Sequence, residues 1–243
     1  MIRACHLYPD LLNLYGDGGN MVAFQKRCQW RNIPLQILYK SLADTKDFNA
    51  YDFVFLGGGS DQEQKLAGAD LMKSRDQLQK AIENGLVVLA ISGGYQLFGC
   101  HYETGDGKQA PGLAILDMYT ETGGKRLVGN AVIEMKLDGV PTRVVGFENH
   151  YGRTFLDGIG PLGKVLFGKG NNGKDGLEGA RYKNVFCSYL HGPLLPKNAA
   201  LTDKLIRLAL KKRGLEPYLK PLDDTFEQRA HTALLDRLGL KAN

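Results

Sequence analysis

Short apolar runs alternate along the chain with segments whose apolar residues recur at helical spacing. Ile2 to Leu7 predicts a first strand. Tyr8 to Asn20 reads as a loop, with Pro9, Gly16, Gly18 and Gly19 where turns need special backbone angles. Asn20 or Gly19 is placed to cap a helix reaching about Arg31. Leu35 to Tyr39 and Asp52 to Leu56 predict two more strands, the latter opening into Gly57-Gly58-Gly59-Ser60-Asp61. From Asp70 to Asn84, Leu71, Leu78, Ala81 and Ile82 give one apolar side to a predicted helix, with Gly85 just past its end. The next run, Leu86 to Ile91, is apolar throughout and suits a strand buried on both faces.

Strands alternating with helices at this spacing predict an α/β fold, a mostly parallel sheet flanked by helices. The middle of the chain differs. Arg126 to Leu137, Thr142 to Glu148 and Lys164 to Phe167 are strand-like, joined by Gly-rich turns, and predict an antiparallel extension. Gly168 to Gly176 reads as a flexible loop. Val185 to Leu190 predicts another buried strand, ending at His191-Gly192-Pro193, and helices are expected at about Ala199 to Arg213 and Leu222 to Leu238. With no repeat, low-complexity segment or convincing linker, the expectation is one domain over residues 1–243.

Composition narrows the classes. Hydrophobic residues are 43% and charged residues 23%, ordinary globular usage that argues against disorder. The net charge of +5 is modest, and Lys211-Lys212-Arg213 reads as a solvated helix face rather than a nucleic-acid patch. No apolar run approaches the roughly 18 residues of a membrane span, and Met1-Ile2-Arg3-Ala4 does not begin a signal peptide. Cys5, Cys28, Cys100 and Cys187 are widely spaced with no CxxC, which argues against a zinc site or disulfide framework and for a reducing cytoplasm.

The chemistry is expected at strand ends, where parallel sheets bind ligands. Ser92 follows a buried strand directly and precedes Gly93-Gly94, at a strand-to-helix corner that suits a nucleophile. Gly57 to Asp61 and Ser188 to Gly192 end two further strands. A nucleophile, a histidine base and loop amides for an oxyanion are the minimal parts of acyl transfer. From the residues alone, His191 is either that base or a buried structural histidine.

Ile91-Ser92-Gly93-Gly94-Tyr95-Gln96 resembles the nucleophile elbow of class I glutamine amidotransferases, which is Cys-Gly-Gly-Tyr-Gln in their cobyric-acid-synthase-like branch. Ser188-Tyr189-Leu190-His191-Gly192 is similar to that branch's histidine motif. Gly146-Phe147-Glu148-Asn149-His150-Tyr151-Gly152-Arg153-Thr154 and Asn13-Leu14-Tyr15-Gly16-Asp17-Gly18-Gly19-Asn20 resemble the glutaminase subunits of lipid II isoglutaminyl synthases. The resemblance implies a flavodoxin-like sheet and hydrolysis of L-glutamine through a γ-glutamyl thioester at position 92, with His191 as base. It places Gly58 and Gly93 amides at the oxyanion and Arg126 on the substrate's α-carboxylate. Tyr95 and Gln96 either line the glutamine pocket or serve the core and the helix cap.

Two departures from the family follow. Its nucleophile is cysteine, whereas this chain has Ser92, so the chain is expected to be an inactive cysteine-to-serine form. The glutamate that many class I enzymes carry two residues after the histidine is Pro193 here. Glu148 is therefore the expected orienter of His191, ahead of Asp17. The resemblance further implies a heterodimer with a Mur-ligase-like subunit (MurT). That partner carries ATP and Mg and amidates D-glutamate of lipid II to D-isoglutamine at the inner face of the membrane. No cofactor, metal or nucleic acid is expected in this chain. With the first strand expected at Ile2, an attached N-terminal synthetase domain is not expected, and a separate partner is. The alternatives are amidation of another carboxylate, such as a corrin precursor, or a silent glutamine-binding scaffold in which Ser92 is natural.

Overall fold

A computed structural model describes residues 1–240. The first half runs β1 (Ile2–Leu7), α1 (Gly19–Gln29), β2 (Leu35–Lys40), β3 (Phe53–Leu56), α2 (Asp61–Met72), α3 (Arg75–Glu83), β4 (Val87–Ile91) and α4 (Gly93–Leu97). Six strands follow: β5 (His101–Glu103), β6 (Gln109–Pro111), β7 (Met118–Leu137), β8 (Val140–Leu156), β9 (Gly163–Phe167) and β10 (Leu177–Glu178). The chain closes with β11 (Ala180–Tyr182), β12 (Val185–Ser188), β13 (Leu190–His191), α5 (Ala199–Lys212) and α6 (Thr225–Arg237).

A six-stranded sheet has the order β11-β12-β4-β3-β1-β2, parallel except at β11. Its apolar runs are buried on both faces because alternate residues serve two cores. Val54, Leu56, Val88 and Ala90 pack with Leu71, Leu78, Ala81 and Ile82 of α2 and α3. Phe53, Phe55, Val87, Leu89 and Ile91 pack with Phe24 of α1 and with Leu205, Ile206 and Ala209 of α5.

The other seven strands build a separate second sheet rather than an extension of the first, antiparallel except where β5 meets β7 and dominated by the long β7–β8 hairpin. The two sheets meet where the chain steps from one to the other. Ser188 ends β12 beside Ile91 of β4, and two residues later Leu190 pairs with Glu148 of β8. The buried Glu178 carboxylate holds this step, accepting from Tyr189 N at 2.6 Å and from Ser188 Oγ at 3.1 Å.

Three expectations for the helices and loops are corrected. The helix expected over Asp70 to Asn84 is two helices. The first starts at Asp61, because Ser60 and Glu63 form a reciprocal capping box (Ser60 N to Glu63 Oε2, 2.8 Å). Gly18, rather than Gly19 or Asn20, is the cap of α1. The Asn20 side chain instead donates to Asp17 O and accepts from Leu195 N. The loop expected to be flexible is tethered: Asn171 is buried and exchanges hydrogen bonds with Gly179 O and N at 2.9 and 2.7 Å. No helix among the described residues is long and apolar enough to cross a membrane.

Arg27 ties α1 to the C-terminal helices. Its buried guanidinium donates to Asp203 (2.6 and 2.8 Å) and Asp224 (2.7 and 2.9 Å). Replacing it by alanine leaves Asp224 without a guanidinium and Asp203 with Arg31 alone (2.7 Å), so Arg27→Ala is expected to cost about 3 kcal/mol, read from the urea midpoint. Glu178 supplies a pH-dependent test. Burial pushes its carboxyl up to about 8, against the opposing effect of the Tyr189 and Ser188 donors. A carboxyl in the unfolded chain titrates near about 4.3. The folded state thus holds this proton more tightly, and stability is full below about 4.3 and falls as pH rises through about 8. Glu178→Gln is expected to flatten the decline of the urea midpoint across that window; an unchanged slope would assign the decline to other groups.

Candidate active site

The corner after β4 holds Ser92 at φ 52°, ψ −110°, a strained conformation for a residue with a Cβ. Ser92 N donates to Ser188 O at 2.9 Å, and Gly94 N donates to Gly57 O at 3.1 Å. A Cβ on Gly94 would stand 2.8 Å from Gly57 O and 2.9 Å from the Leu56 side chain, so the elbow closes on β3 only with glycine there. Ser92 thus caps the short helix α4 with its side chain free of backbone bonds.

His191 arrives from the other sheet. Its Nδ1–H donates to Asp17 Oδ1 at 3.1 Å, and both side chains are buried. The carboxylate only accepts, so Nδ1 carries a proton, and in the neutral imidazole the lone pair is then on Nε2. Nε2 is buried with no hydrogen-bond partner among the described residues. The second Asp17 oxygen accepts from Gly58 N at 2.9 Å. Gly58 lies between base and nucleophile: a Cβ there would be 3.0 Å from Ser92 Cβ and 3.2 Å from His191 Cε1. Tyr15, at φ 59°, sets its ring edge-on to His191 at 5.1 Å between centroids.

The structure thus brings Ser92, Gly58, Gly93 and His191 together, and it corrects the orienter. Glu148 is directly opposite Leu190 in the sheet, but its carboxylate turns away and accepts from Lys169 N (2.8 Å) and Gly170 N (2.9 Å). Burial raises its pKa, those two amides oppose the shift, and its hydrogen bonds go to them rather than to His191. Asp17 occupies the orienting position instead. The Gly58 amide is committed to Asp17, which leaves it unavailable to an oxyanion. The next amide nitrogen of that loop, Gly59 N, lies 3.5 Å from where a Cβ on Gly93 would stand, with Gln64 Oε1 2.8 Å from the same point.

Tyr95 and Gln96 belong to the frame. Tyr95 is fully buried with its hydroxyl on Asn171 Oδ1 at 3.3 Å. Gln96 accepts from Gln64 and donates to Tyr189 Oη, both at 3.0 Å. Arg126 is exposed, donates to Asn149 Oδ1 at 2.9 Å, and lies 4.6 Å from the Tyr151 ring centre. Phe147, Asn149 and Tyr151 alternate onto one face of β8, and His191 is the cross-strand partner of Phe147. Arg126 and His191 therefore share a face. His150, on the opposite face, stacks on Tyr189 at 3.7 Å with its pKa lowered to about 3, chiefly by burial. Cys187 is fully buried in β12 and its thiol is pushed well up by desolvation, a poor nucleophile.

Residues 3–199 match the family described as the CobB/CobQ-like glutamine amidotransferase domain. The chain is 45% identical over 232 residues to the lipid II isoglutaminyl synthase (glutamine-hydrolyzing) subunit GatD of Staphylococcus aureus, covering 96% of this chain and 94% of that protein. It is 40% identical to the GatD subunit of Streptococcus pneumoniae, covering 93% and 88% respectively. A solved structure described as a glutamine amidotransferase superposes with a TM-score of 0.53 at 15% identity, covering 84% of this chain and 98% of that one, a likeness of fold. On the family match and these identities, the chain belongs to the CobB/CobQ-like glutamine amidotransferases.

Proposed function

We propose that this chain is the glutaminase subunit of a lipid II isoglutaminyl synthase, and that position 92 is its nucleophile. The observation that carries the assignment is the Asp17–His191 pair set against the strained elbow at Ser92 across Gly58. Asp17 holds the imidazole in the tautomer whose Nε2 takes the nucleophile's proton. Attack on the carboxamide carbon of glutamine puts negative charge on its oxygen, which the Gly59 and Gly93 amides stabilise. Nε2–H then protonates the departing nitrogen and ammonia leaves. Water, deprotonated by the same nitrogen, cleaves the γ-glutamyl enzyme and frees glutamate.

In this account Ser92 stands where cysteine does the work. A thiol beside a histidine and a helix N-terminus ionises near neutrality, whereas a hydroxyl must lose its proton during attack. With serine at position 92 the chain retains the glutamine site with little turnover. Ammonia reaches a Mur-ligase-like partner that holds ATP and Mg and amidates D-glutamate of lipid II, in the cytoplasm at the inner face of the membrane. An exposed apolar rim of Leu14, Tyr15, Phe147 and Tyr151 around His191 supports docking of such a partner over the site.

The test is glutamate release from L-glutamine in the presence of the partner subunit. Ser92→Cys is expected to be active and the serine chain nearly silent. Asp17→Asn in the cysteine form is expected to lose on the order of a thousandfold in turnover, while Glu148→Gln keeps most of it. A silent Ser92→Cys protein would sink the glutaminase reading. An active Asp17→Asn alongside a dead Glu148→Gln would return the orienting role to Glu148.

A further inference from the structure

Pairing along the β7–β8 hairpin jumps from Thr122 opposite Gly152 to Leu127 opposite His150. Residues 123–126 of β7 therefore face Tyr151 alone. A bulge of this kind re-aims the side chains it carries. One side chain spans it. Arg153 Nη1 donates to Tyr151 O at 2.7 Å and Gly152 O at 3.1 Å, while its Nη2 donates to Lys125 O across the bulge. Gly123 makes room: a Cβ there would lie 2.4 Å from Arg153 Cζ.

The bulge delivers Arg126. Its Nη1 is taken by Asn149 and its plane lies on Tyr151, while Nε and Nη2 have no hydrogen-bond partner among the described residues. A guanidinium edge with two free donors fits a carboxylate bidentately. That edge is on the face of β8 that also presents His191. Resting on the glutamine reading above, we infer that Arg153 is a positioning residue: it staples the bulge that turns Arg126 toward the α-carboxylate of glutamine. Lysine cannot replace it, since a single ammonium lacks the planar fork that reaches three carbonyls on two strands.

Calorimetric binding to the full chain, with Ser92 in place, tests this without turnover. The ligands are L-glutamine and L-glutaminamide, which carries a carboxamide instead of the α-carboxylate. Arg153→Met is expected to weaken L-glutamine about tenfold and to leave L-glutaminamide unchanged. In an Arg126→Ala background, Arg153→Met is expected to add nothing. Gly123→Ala, which crowds the Arg153 guanidinium without removing it, is expected to give the same signature and serves if Arg153→Met does not fold. Parent-like L-glutamine affinity in both variants, or equal weakening of both ligands, overturns the positioning role. If the parent chain binds no L-glutamine, the glutamine site itself fails and this inference fails with it.

Discussion

One carboxylate holds the candidate site together. Asp17 accepts the His191 Nδ1–H with one oxygen and the Gly58 N–H with the other. It thereby ties the loop after β1, the loop after β3 and the end of β13, three segments far apart in sequence. Asp17 is itself held, because Asn20 Nδ2 donates to its carbonyl and Asn20 Oδ1 takes the Leu195 amide. The two sheets need this bridge. Ser92 belongs to the parallel sheet, while His191 sits on a two-residue strand paired to the hairpin sheet. A base carried by so short a strand has few backbone bonds of its own, so its alignment rests on side chains.

The rest of the architecture serves close approach. Buried polar contacts join the elbow to the hairpin: Gln64 to Gln96, Gln96 to Tyr189 Oη, and Tyr189 Oη to Thr154 Oγ1 at 2.6 Å. Each of these groups is satisfied by a neighbour, as buried polar groups must be, and the set couples α2, α4 and β8 below the site. Glu148 has a comparable task, holding the loop after β9 by two amides. Its burial and its place next to His191 in the sheet make it resemble a catalytic acid, yet the direction of its side chain assigns it to the scaffold.

Much of this was legible in the residues. Apolar runs and strand–helix alternation located the parallel sheet because strands buried on both faces need unbroken apolar sequence. The strand ends at Gly57, Ser92 and Ser188 converge as their positions in such a sheet require, and His191 follows three residues after Ser188 on the hairpin sheet. The start of α2 carried a local signal that the apolar spacing did not use, since Ser60 and Glu63 have the spacing of a capping box. Other features were not. Strand pairing follows from long-range register, so nothing local said that the hairpin would form its own sheet or that Asp17, 174 positions before His191, would reach its ring. Glycine content suggested a mobile loop at Gly168 to Gly176, but the buried Asn171 and Asn172 side chains decide otherwise. Glu178 gave no signal at all, because a lone acid in a polar stretch acquires its role only from burial.

The central claim is a single geometry: glutamine lies between Ser92 and His191 with Asp17 behind the imidazole. A crystal structure of the full chain soaked with L-glutamine addresses it directly. The account predicts the carboxamide carbon within about 3–3.5 Å of Ser92 Oγ, and its oxygen about 3 Å from the Gly59 and Gly93 amides. It further predicts the α-carboxylate on the Nε–Nη2 edge of Arg126, with the Asp17–His191 contact intact. Glutamine bound away from the elbow, or His191 turned from Asp17 when glutamine binds, would contradict it.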